Sequence, residues 1–580
     1  MNKKLNILII AAFGMIPLFA AAQNLSKEIT VQKDYVPTER KATKANDLPK
    51  VKKEQSKTSA LNYSNWAAPT QVPAKIQVLT PYGYETTHDF STQRGYFDLG
   101  AGSFMNVVGS AGYRILDTEQ TTLGFWLQHN STWTGKNNSP VNTIGQKQKY
   151  NENRIGVDLT SNLAPGTFTA NVFYHFDHFN YYGGNSDIWE QSAYKQTVNE
   201  VNLRLGWKNH ATPDALSYHA NLLGDYFGYS HSLVGESYKG AKETHLQLNL
   251  GGEYLCGEYS HAGVDLSGDW VHYSKLTAID FDQQLLSPHS NKSLGLVTLS
   301  PYFRYNHGNL ALLLGVKADG YFDGNSSFQI APNVEFSYAF IDGVTFYANT
   351  KGGKSLNLAA DRANINRYTD PSSMLLGGTF SPIDAEGGFK VGPFAGFSLK
   401  VFGGYGKFKN MPLPWIPVLA EAKVSTVATY YRPISIDGWK LGAEATYKFR
   451  SLVEFRAGIT YSDQDKDNGY VLGDDRAKCV ATASINVTPI KPLTIGIGYE
   501  LRAKRAVRSV FYSGSAPVIE SWINTPLDDV NLLRAGASYK INDMFGVFVQ
   551  ANNILCKKWD DYYGMSAQRF NALGGISIVF

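Results

Sequence analysis

The chain has 580 residues, and its composition excludes several large classes of protein before any motif is considered. Charged residues make up only 18%, below the roughly 25% of ordinary soluble proteins, whereas Tyr (35), Phe (31) and Gly (54) are unusually numerous. A mean hydropathy of -0.25 excludes a bundle of membrane helices, and 43% hydrophobic residues exclude wholesale disorder. Three cysteines are too few for a disulfide scaffold, and a net charge of +4 does not indicate a nucleic-acid partner. A large all-β protein remains.

The N-terminal segments predict export from a bacterial-type, Gram-negative cytoplasm. Residues 1–22 have the basic start, the apolar stretch at 5–19 and the small residues at 20–22 of a signal peptide. Between residues 24 and 60, nine Lys or Arg face five acids, a net charge of +4. Residues 23–60 are therefore predicted to form a basic, extended or disordered periplasmic leader. Residues 61–93 are predicted to be a linker or a partial plug.

From residue 94 to residue 580 the chain reads as a series of amphipathic strands. In the segment 260–272, Val264, Leu266 and Trp270 fall on one face, and Asp265 lies on the other. This period of two indicates a sheet with one apolar and one polar face. Twenty-two such segments can be counted, with 20 to 24 as the range.

The lengths of the connections separate a membrane barrel from a soluble sandwich. Short turns such as 308–309 and 341–343 mostly alternate with long loops. The long loops are predicted at 135–150, 180–197, 230–243, 274–292, 352–384, 408–435, 463–475 and 504–528. This alternation favours a closed antiparallel transmembrane β-barrel with periplasmic turns and extracellular loops. The sheet must close on itself because an unpaired backbone N–H or C=O group finds no hydrogen-bond partner in lipid. An even strand count places both termini in the periplasm, with the barrel integral to the outer membrane and surrounded by its lipid.

The last strand ends the chain on an aromatic residue. Its apolar face includes Phe570, Ile576, Ile578 and Phe580. A terminal aromatic on an amphipathic strand is similar to the sorting signature of outer-membrane barrels. The barrel-assembly machinery is therefore an expected partner.

The C-terminal residues carry a family resemblance. Asn552-Asn553-Ile554 ends one strand, Lys557-Lys558-Trp559 follows in a loop, and the final Gly-containing strand ends at Phe580. This arrangement resembles the closing hairpin of TonB-dependent receptors. The resemblance implies a barrel of about 22 strands that passes or imports a solute across the outer membrane. One departure is clear, because only 71 residues (23–93) precede the first strand. A full plug domain of that family does not fit there.

A short extended stretch near the mature N-terminus resembles a TonB box. It consists of Glu28, Ile29, Thr30, Val31 and Gln32. Such boxes bind by adding a strand to the partner's sheet. TonB, or another periplasmic partner of the leader, is therefore one expectation, and an ordinary leader without this role is the alternative.

Sequence motifs indicate no enzyme, since no G-x-S-x-G, HExxH or P-loop pattern occurs. One candidate cofactor is calcium, on an acidic loop with carboxylates at spaced positions. Its candidate ligands are Asp463, Asp465, Asp467 and Asp474. A solvated acidic loop explains the same residues. His175 and Asp177 share one strand face and offer two further metal ligands, or they are ordinary polar residues at a strand end.

Three functions stay open on the sequence alone. The barrel transports a solute, or it anchors a periplasmic or surface partner, or it is a plugless porin. An open lumen of 22 strands would breach the permeability barrier. Inward-folded loops such as 352–384 and 408–435, residues 61–93 or another protein are therefore expected to close it. The predicted lumen charges are of mixed sign, which indicates no strong ion selectivity.

Overall fold

The computed structural model describes residues 93–136, 147–182, 195–210, 216–232, 240–280, 285–371, 375–419, 424–425, 428–465, 477–513, 518–562 and 564–580. The predicted signal peptide, the leader and residues 61–92 lie outside the described residues. The TonB-box-like residues 28–32 lie there too.

Strands dominate the described part of the chain. In chain order they are β1 Gly95–Gly102, β2 Val107–Asp117, β3 Thr121–Lys136, β4 Lys147–Leu163, β5 Gly166–Asn180, β6 Lys195–Asn209, β7 Ser217–Tyr229, β8 Lys242–Gly257, β9 Ser260–Asp280, β10 Leu285–His307, β11 Leu310–Phe322, β12 Ser326–Ile341, β13 Val344–Lys351, β14 Gly353–Leu356, β15 Gly378–Phe394, β16 Phe397–Leu419, β17 Val424–Ser425, β18 Tyr430–Phe449, β19 Val453–Asp465, β20 Cys479–Ile490, β21 Leu493–Ala503, β22 Arg505–Ser513, β23 Val518–Leu527, β24 Val530–Lys540, β25 Phe545–Asn552, β26 Asp560–Tyr562, β27 Met565–Ser566 and β28 Asn571–Val579. One α-helix, α1, spans Ala359–Ile365, and a 3-10 turn spans Ser103–Met105.

Twenty-two of these strands form a closed antiparallel barrel. Each pairs with its neighbour in the chain, and β1 closes the sheet on β28 in a register that runs from Tyr96↔Val579 to Gly102↔Leu573. β14 continues β13 along β15, and β17, β22, β23, β26 and β27 belong to the connections. The predicted fold class and the count of 22 are therefore confirmed.

The outer face of the barrel is apolar along its strands. In β9 the exposed fractions of Val264, Leu266 and Trp270 are 45%, 42% and 44%, while Asp265 and Asp269 alternate with them. Large apolar side chains exposed in rows suit a surface that contacts lipid rather than water. No helix within the described residues is long and apolar enough to cross a membrane.

Strands extend far into several of the predicted long loops. β9 and β10 run to Asp280 and from Leu285, so their hairpin extends through most of 274–292. β16 reaches Leu419 within 408–435, and β22 and β23 form a hairpin inside 504–528. The predicted loop boundaries were wrong here because hairpin arms can go on pairing their backbone groups beyond the height of the barrel wall.

Candidate functional site

A segment of the chain leaves the barrel wall after β14 and crosses the lumen. We call the described residues 357–371 and 375–377 the inserted segment; it contains α1, and the wall resumes at β15. The part that the structure describes contacts wall residues of β4, β5, β6 and β8. The prediction that 352–384 folds inward is therefore confirmed for these residues.

The first turn of α1 is capped by the barrel wall rather than by its own chain. Leu358, at the N-cap, provides no side-chain hydrogen bond. Instead, the carboxylate of Glu243 on β8 accepts the N–H of Ala359 (2.7 Å) and that of Ala360 (3.1 Å). Glu243 is fully buried. Free N–H groups and the positive end of the helix dipole both favour an anion at this position.

Alanines let the helix approach the wall closely. Ala359, Ala360 and Ala363 are buried on α1 and belong to the main apolar cluster of the lumen. Alanine also has the highest intrinsic helix propensity, so the short helix forms at little local cost.

Arg367 joins the inserted segment to two neighbouring strands. Its Nη2 lies 2.8 Å from Glu152 Oε2 on β4, and its Nη1 lies 3.0 Å from Asp177 Oδ1 on β5. The guanidinium also lies over the ring of Tyr150, 4.0 Å from its centre. Burial lowers the pKa of Arg367, but Asp177 and Glu152 outweigh it and leave that pKa raised. We call this arrangement the Arg367 latch.

His175 extends the latch along the wall. Its Nε2 lies 3.4 Å from Glu152 Oε1, and its Nδ1 lies 3.1 Å from Glu200 Oε2 on β6. His175 and Asp177 thus share a face, as the sequence predicts, and both serve the latch. Among the described residues, no group of three His, Cys, Asp or Glu is arranged to hold a metal ion.

Aromatic side chains hold the next turn of the segment. The ring of Tyr368 packs edge-on against Phe179 (5.7 Å between ring centres) and Tyr182 (5.2 Å). Tyr181 donates its hydroxyl to Thr369 O at 3.0 Å. All three aromatic partners are almost fully buried. Each such side chain contributes about 1.5–3 kcal/mol through burial.

Two other connections also form hydrogen bonds with the inserted segment. Asp370 donates its N–H to Thr429 O (2.9 Å), and Thr429 donates its own to Tyr368 O (2.8 Å). Tyr562, between β25 and β28, donates its hydroxyl to Ile365 O at 2.9 Å. Thr429 of the predicted loop 408–435 therefore contacts the inserted segment, and a role of this loop in closing the lumen stays a prediction.

A cavity of about 1170 Å³ lies between the inserted segment and the wall. Its charged lining residues are Asp98, Glu152, Arg154, Asp177, Glu200, Arg204, Asp225, Asp269, Lys317, Asp319, Lys354, Asp361, Arg367, Arg502 and Asp561. Both signs are present, as the sequence predicts for the lumen. Carboxylates nevertheless outnumber the basic groups in this lining.

The structure places the predicted C-terminal residues on the outer face of β28 and beside it. Phe570, Ile576 and Phe580 are exposed, and Ile578 is partly so. The ring of Phe580 stacks on Tyr113 across the closure, with 6.2 Å between ring centres. The role of these residues in sorting stays a prediction.

The proposed calcium ligands are only partly described. Asp463 lies on β19, where its Oδ1 is 2.5 Å from Lys478 Nζ, and Asp465 ends that strand. Asp467 and Asp474 lie outside the described residues. The calcium site stays a prediction, with one of its carboxylates already paired with a lysine.

Sequence reasoning missed Arg367, Glu152 and Glu243 as functional residues. Glu152 is an inward position of β4 and Glu243 of β8, so the period of two could have marked them as lumen carboxylates. Arg367 belongs to a loop, where no periodicity shows which way a side chain points. Only the folded chain brings it to Glu152.

Comparisons with known proteins bear on the fold. No family model and no curated protein matches the chain. Among solved structures, it resembles the FrpB iron transporter from Neisseria meningitidis (F3-3 variant), with 13% identity over 85% of this chain and 82% of that one, TM-score 0.64. It also resembles the siderophore receptor PirA from Acinetobacter baumannii (10% identity, 84% and 80%, TM-score 0.63). The pyoverdine outer membrane receptor FpvA from Pseudomonas aeruginosa is similar as well (16%, 84% and 78%, TM-score 0.60). At these identities the likeness shows a shared barrel fold.

Proposed function

We propose that this protein resides in the outer membrane and passes or imports a solute through its barrel, with the inserted segment as the gate. The apolar outer face and the charged lumen support the location and the path. The likeness to an iron transporter and two siderophore-type receptors supports transport as the general role.

The observation that carries this proposal is the Arg367 latch. An ion pair buried between two carboxylates adds little net stability over an apolar contact, but losing one partner costs about 3–5 kcal/mol. Such a contact suits an element with two positions rather than a permanent core. Gly353 (φ +122°) begins β14, the strand that leads into the inserted segment, and Gly377 (φ +63°) is the last residue before β15. Both positions use backbone conformations that favour glycine and fit a pair of hinges.

Single-channel conductance in planar bilayers tests the gate. We expect Arg367→Ala to show larger or more frequent open steps than the wild type, because Glu152 and Asp177 lose their counter-ion. Arg456→Ala is the matched control, since Arg456 is a lumen arginine paired with Glu454 at 2.6 Å, away from the segment. Conductance of Arg367→Ala that equals both controls would contradict the gate. Silence in every variant would contradict solute passage and favour an anchor for a partner.

The resemblance to TonB-dependent receptors adds an energised form of this proposal. In it, residues 28–32 bind a TonB-type periplasmic protein by strand addition. Site-specific crosslinking from position 30 in cells tests the contact, with position 50 in the same leader as control. Crosslinks of equal yield at both positions, or none at either, would leave passive passage as the function.

A further inference from the structure

One side of the lumen cavity carries a concentration of carboxylates. Glu200 on β6, Asp225 on β7, Asp269 on β9 and Asp361 on α1 all line it, and we call these four residues the acidic arc. Asp225 and Asp361 each interact electrostatically with Glu200 and with His245. The arc is therefore one connected group around His245, not a scatter of separate acids.

Three members of the acidic arc accept hydrogen bonds from amide side chains, and histidines contact two of them. Asp225 accepts from Asn202 Nδ2 (2.9 Å), and Asp269 accepts from Gln247 Nε2 (2.7 Å). Glu200 accepts from Asn364 Nδ2 at 3.4 Å and contacts His175. This differs from the latch, where Arg367 neutralises two carboxylates directly.

Two arginines lie near the acidic arc, and each donates a hydrogen bond to a neutral oxygen atom. Arg362, which interacts with Asp361, donates from Nη1 to Asn357 O at 2.6 Å. Arg204 donates from Nε to Asn202 Oδ1 at 3.0 Å. The four carboxylates of the acidic arc therefore outnumber these two arginines.

His245 provides an independent indication of a ligand. The residue lines the cavity and is only 4% exposed. Its Nε2 lies 2.9 Å from Asp269 Oδ1, and because a carboxylate accepts, Nε2 carries the hydrogen. In the neutral imidazole Nδ1 is then an acceptor, and within the described residues it has no hydrogen-bond partner. A buried acceptor without a donor is costly. The unpaired Nδ1 therefore indicates a place for a ligand that donates an N–H or O–H group.

We propose that the acidic arc and His245 bind a solute with two or more protonated amines, as a station on the path through the barrel. The carboxylates supply charge-assisted acceptors, and His245 Nδ1 accepts an ammonium N–H. A cavity of about 1170 Å³ admits an extended oligoamine. An inorganic divalent cation shares the charge but lacks N–H donors, and the described residues bring no three ligand groups together for one. The inference rests on the proposed passage of a solute.

Isothermal titration calorimetry on the full-length protein in detergent tests this inference. Spermidine is the probe at about 0.15 M salt, where exposed charges are screened. The matched neutral ligand is 1,8-octanediol, and magnesium chloride supplies the inorganic cation. We expect spermidine to bind and the other two to give no saturable heat. Asp225→Asn and Asp361→Asn should each raise the Kd by about tenfold or more, as expected for one charge-assisted hydrogen bond.

The control variant is Glu335→Gln, which removes a carboxylate that pairs with Lys351 and does not line the cavity. It should leave the Kd for spermidine unchanged. Equal weakening in Glu335→Gln, saturable binding of magnesium alone, or no binding of spermidine would each overturn the inference. These outcomes are separate from the gate, because opening of the Arg367→Ala channel needs no amine. An open channel without amine binding would refute the inference alone.

Discussion

At the scale of single residues, Asp361 shows how the lumen changes the chemistry of a side chain. Burial and the nearby charge of Glu243 raise the pKa of Asp361 to about 6, against the opposing effects of Arg362 and His245. When α1 is packed against the wall, the protonated form of Asp361 is therefore more stable, relative to the carboxylate, than it is in the unfolded chain. The packing of α1 against the barrel wall is therefore most stable below pH 4, the unfolded pKa of about 4 being the lower limit. Its stability falls as the pH rises through 6.

Hydrogen exchange of residues 357–371 measures this dependence. In the wild type, we expect the free energy of local opening to fall by about 1–3 kcal/mol from pH 4 to pH 7. Asp361→Asn should remove most of this slope, since the amide does not titrate. Exchange rates are corrected for their intrinsic pH dependence. If the free energy of local opening of Asp361→Asn depends on pH as strongly as that of the wild type, another group controls the pH dependence of α1 packing.

At the scale of elements, the inserted segment depends on how the chain leaves the barrel wall. Gly353 has φ +122°, a conformation that side chains with a Cβ rarely adopt. A Cβ added there would also lie 3.1 Å from Lys317 Cδ and 3.3 Å from Asp319 Oδ2. Asp319 accepts the N–H of Lys354 at 2.8 Å and so fixes this departure point.

Gly353→Ala should therefore destabilise the departure from the wall by about 1–3 kcal/mol. Hydrogen exchange of α1 should become about tenfold faster or more, because opening relieves the strain. Gly268→Ala on β9 is the matched control, since nothing lies within 4 Å of the added Cβ. Equal exchange in both variants would mean that Gly353 is not part of a hinge.

The strand elements were predictable because their signal is local. The predicted segment 260–272 lies within β9, and the count of 22 segments equals the number of strands in the barrel. A side-chain period of two is visible in each strand without knowledge of its neighbours. The path of the inserted segment was not predictable in this way, since its position depends on Glu243, Glu152 and Asp177 from three other strands.

At the scale of the whole molecule, the fold depends on the meeting of its two ends. Gly95 and Phe580 exchange backbone hydrogen bonds of 2.7 and 2.9 Å, and β28 pairs with both β1 and β25. Without β28, two strand edges would face lipid with unpaired backbone groups, each costing several kcal/mol.

Deletion of residues 571–580 should therefore prevent formation of the barrel. Heat-modifiable migration on gels and protease resistance in membranes measure this outcome. Phe580→Ala is the milder control, because it keeps every backbone pair and loses the stacking on Tyr113. Folded barrel in the deletion variant would show that closure by β28 is dispensable.

The sequence by itself determined the barrel, its strand count and the outward face of segments such as 260–272. The reason is that the alternation of apolar and polar residues and the spacing of turns are local features of the chain. The tertiary structure decided what fills the lumen. The ion pair of Arg367 with Glu152, and the hydrogen bond of Ala359 with Glu243, join residues more than a hundred positions apart. No local pattern records such pairs, since they depend on the curvature of the closed wall and on where a loop re-enters it.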